Sequence, residues 1–359
     1  MKKVFLYKLV ILFAWLPLIF DAQAQYTSTK TIQKSFNMTD AGEVMIKNKY
    51  GHIEFYGWEK DSVRIKVVIE TQSKSDELIN RINPTFDFSK EFLEVESVIE
   101  AKKQGYFNRL FREINPIEFD KTEVDIHFEV FLPAGVHIKV ENKYGDVSIN
   151  DCKGRLRAQV EHGDLRIEGA LSYVDVLIRF GLLRAYNLPR GEIDLKNGRL
   201  DISNAQQIEL ISEGSEIEID DIQTLRLTSS KDESILISSI STITGSVRFS
   251  DLTIEQISGF ADLDLHQSEL KINHLLKGTT QLQLTQKDTE IEIASGTTGC
   301  QIEAYLEGGL LRLPTQVTGL DVNVLDEKDE IREVKASLGQ APFTKINITG
   351  KKGYMLIKT

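Results

Sequence analysis

The chain is poor in the residues that carry most protein chemistry. Its 359 residues include two cysteines, two tryptophans and six histidines. Two cysteines exclude a disulfide-dense scaffold, and no histidine forms a short metal-ligand pair with another histidine or a cysteine, so no zinc site is expected. Seven prolines exclude collagen-like and proline-rich chains. Positive charge is also in deficit, with 43 Lys and Arg against 54 Asp and Glu, a net charge of −11. Nucleic acid and anionic lipid both require a basic footprint, so neither is an expected partner. No Ser-His-Asp order, phosphate loop or dinucleotide fingerprint is present, and no cofactor is expected. What remains is globular, 41% apolar and 27% charged.

Residues 1–24 have the features of a secretory signal peptide. Lys2 and Lys3 precede an apolar stretch from Leu9 to Phe20, and Ala22-Gln23-Ala24 supplies a small-x-small cleavage site. The apolar stretch is too short to cross a bilayer of ~30 Å as a helix. No later run is long enough either, so no transmembrane segment is expected in a mature chain from Gln25. The expected location is the periplasm, the outer-membrane surface or the extracellular space.

From Val136 onward the chain repeats itself. A doublet of the form apolar-x-apolar recurs twice per unit. One series runs Val147/Ile149, Leu165/Ile167, Leu183/Ala185, Leu200/Ile202, Ile217/Ile219, Ile235/Ile237, Leu252/Ile254, Leu270/Ile272, Ile291/Ile293 and Leu311/Leu313. Its steps are 17 or 18 residues, widening to 21 and 20 at the end. The companion series runs from Ile138/Val140 through Leu156/Ala158, Val174/Val176, Ile193/Leu195 and Ile208/Leu210 to Ile302/Ala304. Alternation with period two puts each doublet on one face of a strand. Gly145, Gly163, Gly181, Gly198 and Gly214 fall between the two strands of successive units, where a positive φ is expected at a sharp corner. A single unit has too little apolar face to fold alone, and stacking units buries a continuous core. The predicted fold is all-β: a single-stack parallel β-solenoid of about ten rungs, right-handed by the crossover rule.

The divisions read from this pattern are a signal peptide (1–24), an N-terminal β segment or cap (25–135), the solenoid (136–319) and a C-terminal cap (320–359). The N-terminal segment should hold a short helix over Asp76–Asn83, stopped by Pro84, and strands over Phe86–Ile99 and Thr122–Leu132. Its stretch 101–119 is basic and aromatic, as in Lys102, Lys103, Tyr106, Phe107 and Arg109. The final strands, Lys345–Thr349 and Tyr354–Lys358, are expected to cover the last rung, because an open sheet end invites aggregation.

Two stretches carry a family resemblance. Phe131-Leu132-Pro133-Ala134-Gly135 leads into Ile138-Lys139-Val140-Glu141-Asn142-Lys143-Tyr144-Gly145-Asp146-Val147. Ile46-Lys47-Asn48-Lys49-Tyr50-Gly51-His52-Ile53 leads to Gly57-Trp58. Both resemble the adhesin-like β-strand-repeat family of bacterial envelope proteins, a domain of unknown function akin to auto-transporter adhesin heads. The resemblance spans roughly 36–315. It implies a β-helix in an envelope-associated bacterial protein and supplies no catalytic residues.

In the solenoid register, Cys152 and Cys300 lie about eight rungs apart, ~38 Å, far beyond the ~7 Å Cα separation that a disulfide tolerates. No intramolecular disulfide is expected. The Gly-Asp pairs at 145–146 and 163–164 are read as turn chemistry rather than calcium ligands. The outward residues of the companion series include Arg157, Asp175, Asp194, Glu209 and Arg226. Rungs ~5 Å apart would stack Asp175, Asp194 and Glu209 into an acidic ladder bounded by Arg157 and Arg226, a candidate cation- or ligand-binding face. The expected function is non-enzymatic: adhesion, scaffolding or binding of a glycan, cell-wall or protein surface. The alternative is a carbohydrate-active β-helix, a polysaccharide lyase or hydrolase, using the acidic ladder.

Overall fold

The computed structural model describes residues 26–73, 77–99, 124–276, 279–341 and 343–359. The expected signal peptide and the basic-aromatic stretch 101–119 lie outside these residues. The chain is all-β, with one four-residue helix, Glu77–Asn80, among the described residues. The sheet is mixed rather than purely parallel as the sequence pattern suggested.

The parallel pairings follow the repeat. Leu165 is in register with Val147 below and Leu183 above, and the column continues through Leu200, Ile217, Ile235, Leu252, Leu270 and Ile291. The buried residues of the strand Glu216–Ser230 show how one unit is built: Ile217, Ile219, Ile222, Leu225, Leu227 and Ser229. Spacing by two keeps side chains on the inner face, and the two spacings of three around Ile222 mark a bend. Leu188, Ala205, Ile222, Ile240, Ile257 and Leu275 stack at that bend in successive units, all buried. Nearly every inner position is aliphatic, which suits a pleated face stacked on its own kind.

Among the described residues, antiparallel pairs occur at two places. Near the N-terminus, Tyr26–Asn37 pairs with Ser62–Ser73, which pairs with Val124–Pro133, and Ile82–Ser89 pairs with Phe92–Ile99. Near the C-terminus, Ile331–Leu338 pairs with both Gly299–Glu307 and Thr318–Asp326. The expected helix over Asp76–Asn83 shrinks to Glu77–Asn80, and Pro84 lies within the strand that follows, opposite Ser97. The expected single strand Phe86–Ile99 spans the turn of a hairpin, with Phe86–Ser89 in the first arm, Phe92–Ile99 as the return, and Lys90 at the turn with φ 50°.

The N-terminal segment does more than lie beside the repeat. Glu43–Tyr50 pairs in parallel with His137–Tyr144, and Ile53–Trp58 with Val147–Asn150, so the repeated Asn-Lys-Tyr-Gly tetrapeptides sit one on the other. Nor do the last strands cover the end. Phe343–Lys351 inserts between Gln281–Lys287 and Gly299–Glu307, and Tyr354–Lys358 inserts between Glu290–Ala294 and Leu310–Arg312. The widened steps in the doublet series fall at this insertion.

The corners also depart from expectation. Positive φ falls on the expected glycine at Gly145 (141°) and Gly214 (62°), but on the residue before it at His162, Phe180 and Asn197, and later corners carry it on Lys231, Phe249, Gln267 and Asp288, these seven all between 48° and 57°. Gly163 and Gly181 serve a different need. A Cβ at Gly163 would lie 2.0 Å from the carbonyl oxygen of Gly145, and one at Gly181 would lie 1.9 Å from that of Gly163. Glycine is there because one backbone rests directly on the next.

Cys152 and Cys300 are free and buried. Burial pushes the Cys152 thiol up to about 12, aided by the Asp151 charge, and burial pushes Cys300 up to about 11. Since the thiolate is the nucleophile, both should resist alkylation in the native protein at pH 8. Counting reacted thiols by mass before and after denaturation is expected to give none and then two. Rapid native labelling of either would place it outside the core.

Candidate functional site

The outward faces of the strands carry the charged residues in vertical columns. On the companion face the register runs Lys139, Arg157, Asp175, Glu192, Glu209, Arg226, Thr244, Asp262 and Gln283. Four of the five residues expected to share a ladder therefore do so: Arg157, Asp175, Glu209 and Arg226. Asp194 does not. It pairs with Leu177 and Ile211, two positions along the strand, and its place is taken by Glu192. The cause is Gly191, which occupies the first inward position of this strand and is opposed by Val174 and Ile208. Lacking an apolar side chain, it is invisible to a search for doublets, which locks onto Ile193/Leu195 instead. Asp194 keeps one buried carboxylate oxygen without a hydrogen-bond partner.

Within the ladder, Arg157 Nε donates to Asp175 Oδ2 at 2.8 Å, and the Tyr173 hydroxyl donates to Glu192 Oε1 at 2.7 Å. The latter bond raises the Tyr173 pKa, because it favours the protonated phenol. Glu192 and Glu209 are direct neighbours of like charge. Both are exposed, so the repulsion is screened. Glu192→Gln is expected to change stability by only about 0.5 kcal/mol, in the stabilising direction and less so in high salt. Chemical denaturation at two ionic strengths measures this, and a clear destabilisation would assign Glu192 a structural role.

The next outward face carries a second column: Ser148, Arg166, Arg184, Asp201, Glu218, Leu236, Thr253, Lys271 and Glu292. Arg184 Nε donates to Asp201 Oδ2 at 2.8 Å. A cavity of about 660 Å³ opens on this face, and its lining includes Arg166, Arg184, Tyr186 and Asp201. Neither Arg166 nor Tyr186 stands out in a reading centred on carboxylates. The exposure of Tyr186, at 71%, is a property of the folded surface alone.

The corner beside Gly145 holds a stack of rings. Tyr50 and Tyr144 lie 5.6 Å apart, Tyr144 and His162 5.3 Å, and His162 and Phe180 4.9 Å. Asp146 and Asp164, of the two Gly-Asp pairs, accept hydrogen bonds there from backbone groups one level on. Asp164 N–H donates to Asp146 Oδ1 at 2.9 Å, and Leu182 N–H donates to Asp164 Oδ1 at 3.0 Å. These carboxylates cap backbone at the turn. Among the described residues, no three His, Cys, Asp or Glu side chains are grouped to hold a metal ion. No helix among them is long and apolar enough to cross a membrane.

No family model and no curated protein matches the sequence. Among solved structures, the chain aligns with a candidate cell-adhesion protein of Clostridium sporogenes at 10% identity, covering 92% of this chain and 99% of the other, with a TM-score of 0.21. It aligns with a candidate lipid-binding protein of Parabacteroides distasonis at 10% identity, covering 90% and 96%, with a TM-score of 0.30. A candidate adhesin of Bacteroides fragilis aligns at 14% identity, covering 92% and 97%, with a TM-score of 0.26. Superpositions this loose identify neither fold nor function.

Proposed function

We propose that this is an exported, non-enzymatic surface-binding protein whose parallel levels coil into a β-solenoid, with residues 136–319 as its body. The observation that carries the reading is the ladder Lys139–Arg157–Asp175–Glu192–Glu209–Arg226, whose members follow one another at strand spacing along one exposed face. Steps of ~4.8 Å make a surface that repeats along its length, and such a surface engages extended partners such as glycan chains, cell-wall polymers or the face of another protein. The features of residues 1–24 support export to the envelope or beyond it.

Incubating the purified protein with isolated envelope material and a glycan array, with and without calcium, tests this. Retention without release of oligosaccharides is expected, and a charge reversal at Glu192 or Glu209 should alter its salt dependence. Catalytic release of oligosaccharides that vanishes in Glu192→Gln and survives in Asp251→Asn would overturn the binding role in favour of a polysaccharide lyase or hydrolase.

A further inference from the structure

The geometry points to the cavity on the second outward face as a binding site for a carboxylated sugar of an acidic polysaccharide. This assignment rests on the surface-binding reading above and narrows it to one site and one ligand chemistry. The cavity volume of about 660 Å³ lies within the range of roughly 300–1,000 Å³ usual for small-ligand sites, room for one or two sugar rings.

Three features select the chemistry. Tyr186 presents its ring at 71% exposure and makes no ring contact among the described residues, so its face is open. An aromatic side chain with an apolar body and a polar tip is a platform for the C–H face of a pyranose. Arg184 is held in place by Asp201 at 2.8 Å, and Asn187 and Ser203 line the same hollow. Fixed planar donors and acceptors of this kind match the hydroxyls of a sugar rather than an apolar ligand. Arg166 is exposed, stands directly beside Arg184 in the register, and has no ion-pair partner among the described residues. Two guanidinium groups on adjacent strands repel each other, and an anion placed between them relieves the repulsion.

The local charge favours the same ligand. Residues 153–190 contain seven basic and four acidic side chains, in a chain whose net charge is −11. Of these, Arg166, Arg184 and Glu168 line the cavity and Arg184 is engaged by Asp201, so Arg166 is the charge open to an anion, and beyond ~8 Å the chain's remaining negative charge is screened at physiological salt. A carboxylate on Arg166, the ring on Tyr186 and hydroxyls on Asp201, Asn187 and Glu168 account for the lining together.

Affinity electrophoresis and calorimetry of the full chain against polygalacturonate, alginate and hyaluronate, with dextran as the neutral polymer, test the assignment. At least one acidic polymer should bind, with dextran about tenfold weaker or worse. Tyr186→Ala should weaken binding about tenfold, Arg166→Gln should abolish the preference for the acidic polymer, and Lys231→Gln, at an exposed corner, should change neither. All three positions are exposed, so thermal melts should match the parent. The assignment is overturned if no acidic polymer binds, if both cavity variants bind as the parent does, or if Arg157→Gln on the other face removes binding instead. Envelope retention that survives any of these results leaves the broader surface-binding role intact, and its absence removes that role as well.

Discussion

Replacing Asp232 with alanine is expected to lower stability by about 3–5 kcal/mol, among the largest single-residue effects in the molecule. Asp232 is 3% exposed and sits at a corner among hydroxyl groups. Its carboxylate accepts from Ser212 Oγ at 2.5 Å, from Ser229 Oγ at 2.6 Å and from the Ser215 backbone N–H at 2.8 Å. No ion pair with a cation is found among the described residues, so these donors alone stabilise the charge. Alanine would strand the buried Ser212 hydroxyl and the Ser215 backbone donor, each carrying a desolvation cost of roughly 1–3 kcal/mol, while Ser229 Oγ would keep Ser250 Oγ at 2.9 Å. Asparagine keeps one carbonyl oxygen as acceptor and should lose about half as much. The corner is one link in a chain: the Asp232 N–H donates to Ser250 Oγ at 2.9 Å, and the Ser250 N–H to Ser268 Oγ at 3.4 Å. Equilibrium urea unfolding of both variants is the measurement, and a loss below 1 kcal/mol in Asp232→Ala would show that water or rearrangement satisfies the donors.

Gly181→Val should be nearly as damaging, at about 3 kcal/mol or more. The added Cβ would meet the Gly163 carbonyl oxygen at 1.9 Å, and backbone cannot swing aside as a flexible side chain can. The loss would come from separating two levels. Gly296 provides the contrast. It has φ +58° and nothing within 4 Å of a Cβ, so Gly296→Ala should cost only the conformational penalty of about 1–2 kcal/mol. Comparable losses at the two sites would mean that the levels at Gly181 are less closely stacked than described.

Much of this architecture is legible in the sequence because it is written in period two. Leu200, Ile217 and Ile235 stand in register as their spacing implies, and Ile222 and Ile240 fill the bend. Three things escape that pattern. Gly191 and Gly245 hold inward positions with no side chain, so a search for doublets passes over them; at Gly191 the outward neighbour is misread by two residues, and Asp194 replaces Glu192 in the expected ladder. Spatial order is the second. Lys345-Ile346-Asn347-Ile348-Thr349 alternates as any other unit does, and nothing local says that Ile346 lies between Leu282 and Ile302. The third is strand direction, since Ile65 opposite Val130 in an antiparallel pair has the same alternation as Leu165 opposite Leu183 in a parallel one. The Tyr186 cavity was beyond reach for a related reason: exposure belongs to the assembled surface and not to the strand.

The most direct measurement of the stacked register is a set of spin-label distances along the companion ladder. Cys152 and Cys300 are buried, so labels attach to introduced cysteines. The pair at Arg157 and Asp262 is six strand steps apart, and the pair at Lys139 and Gln283 is eight. Parallel stacking gives backbone separations of ~29 Å and ~38 Å, growing linearly with the number of steps. A pair at Lys139 and Gln283 that is closer than the pair at Arg157 and Asp262 would mean that the chain folds back on itself, and the ladder, the repeating surface and the sites placed on it would not exist.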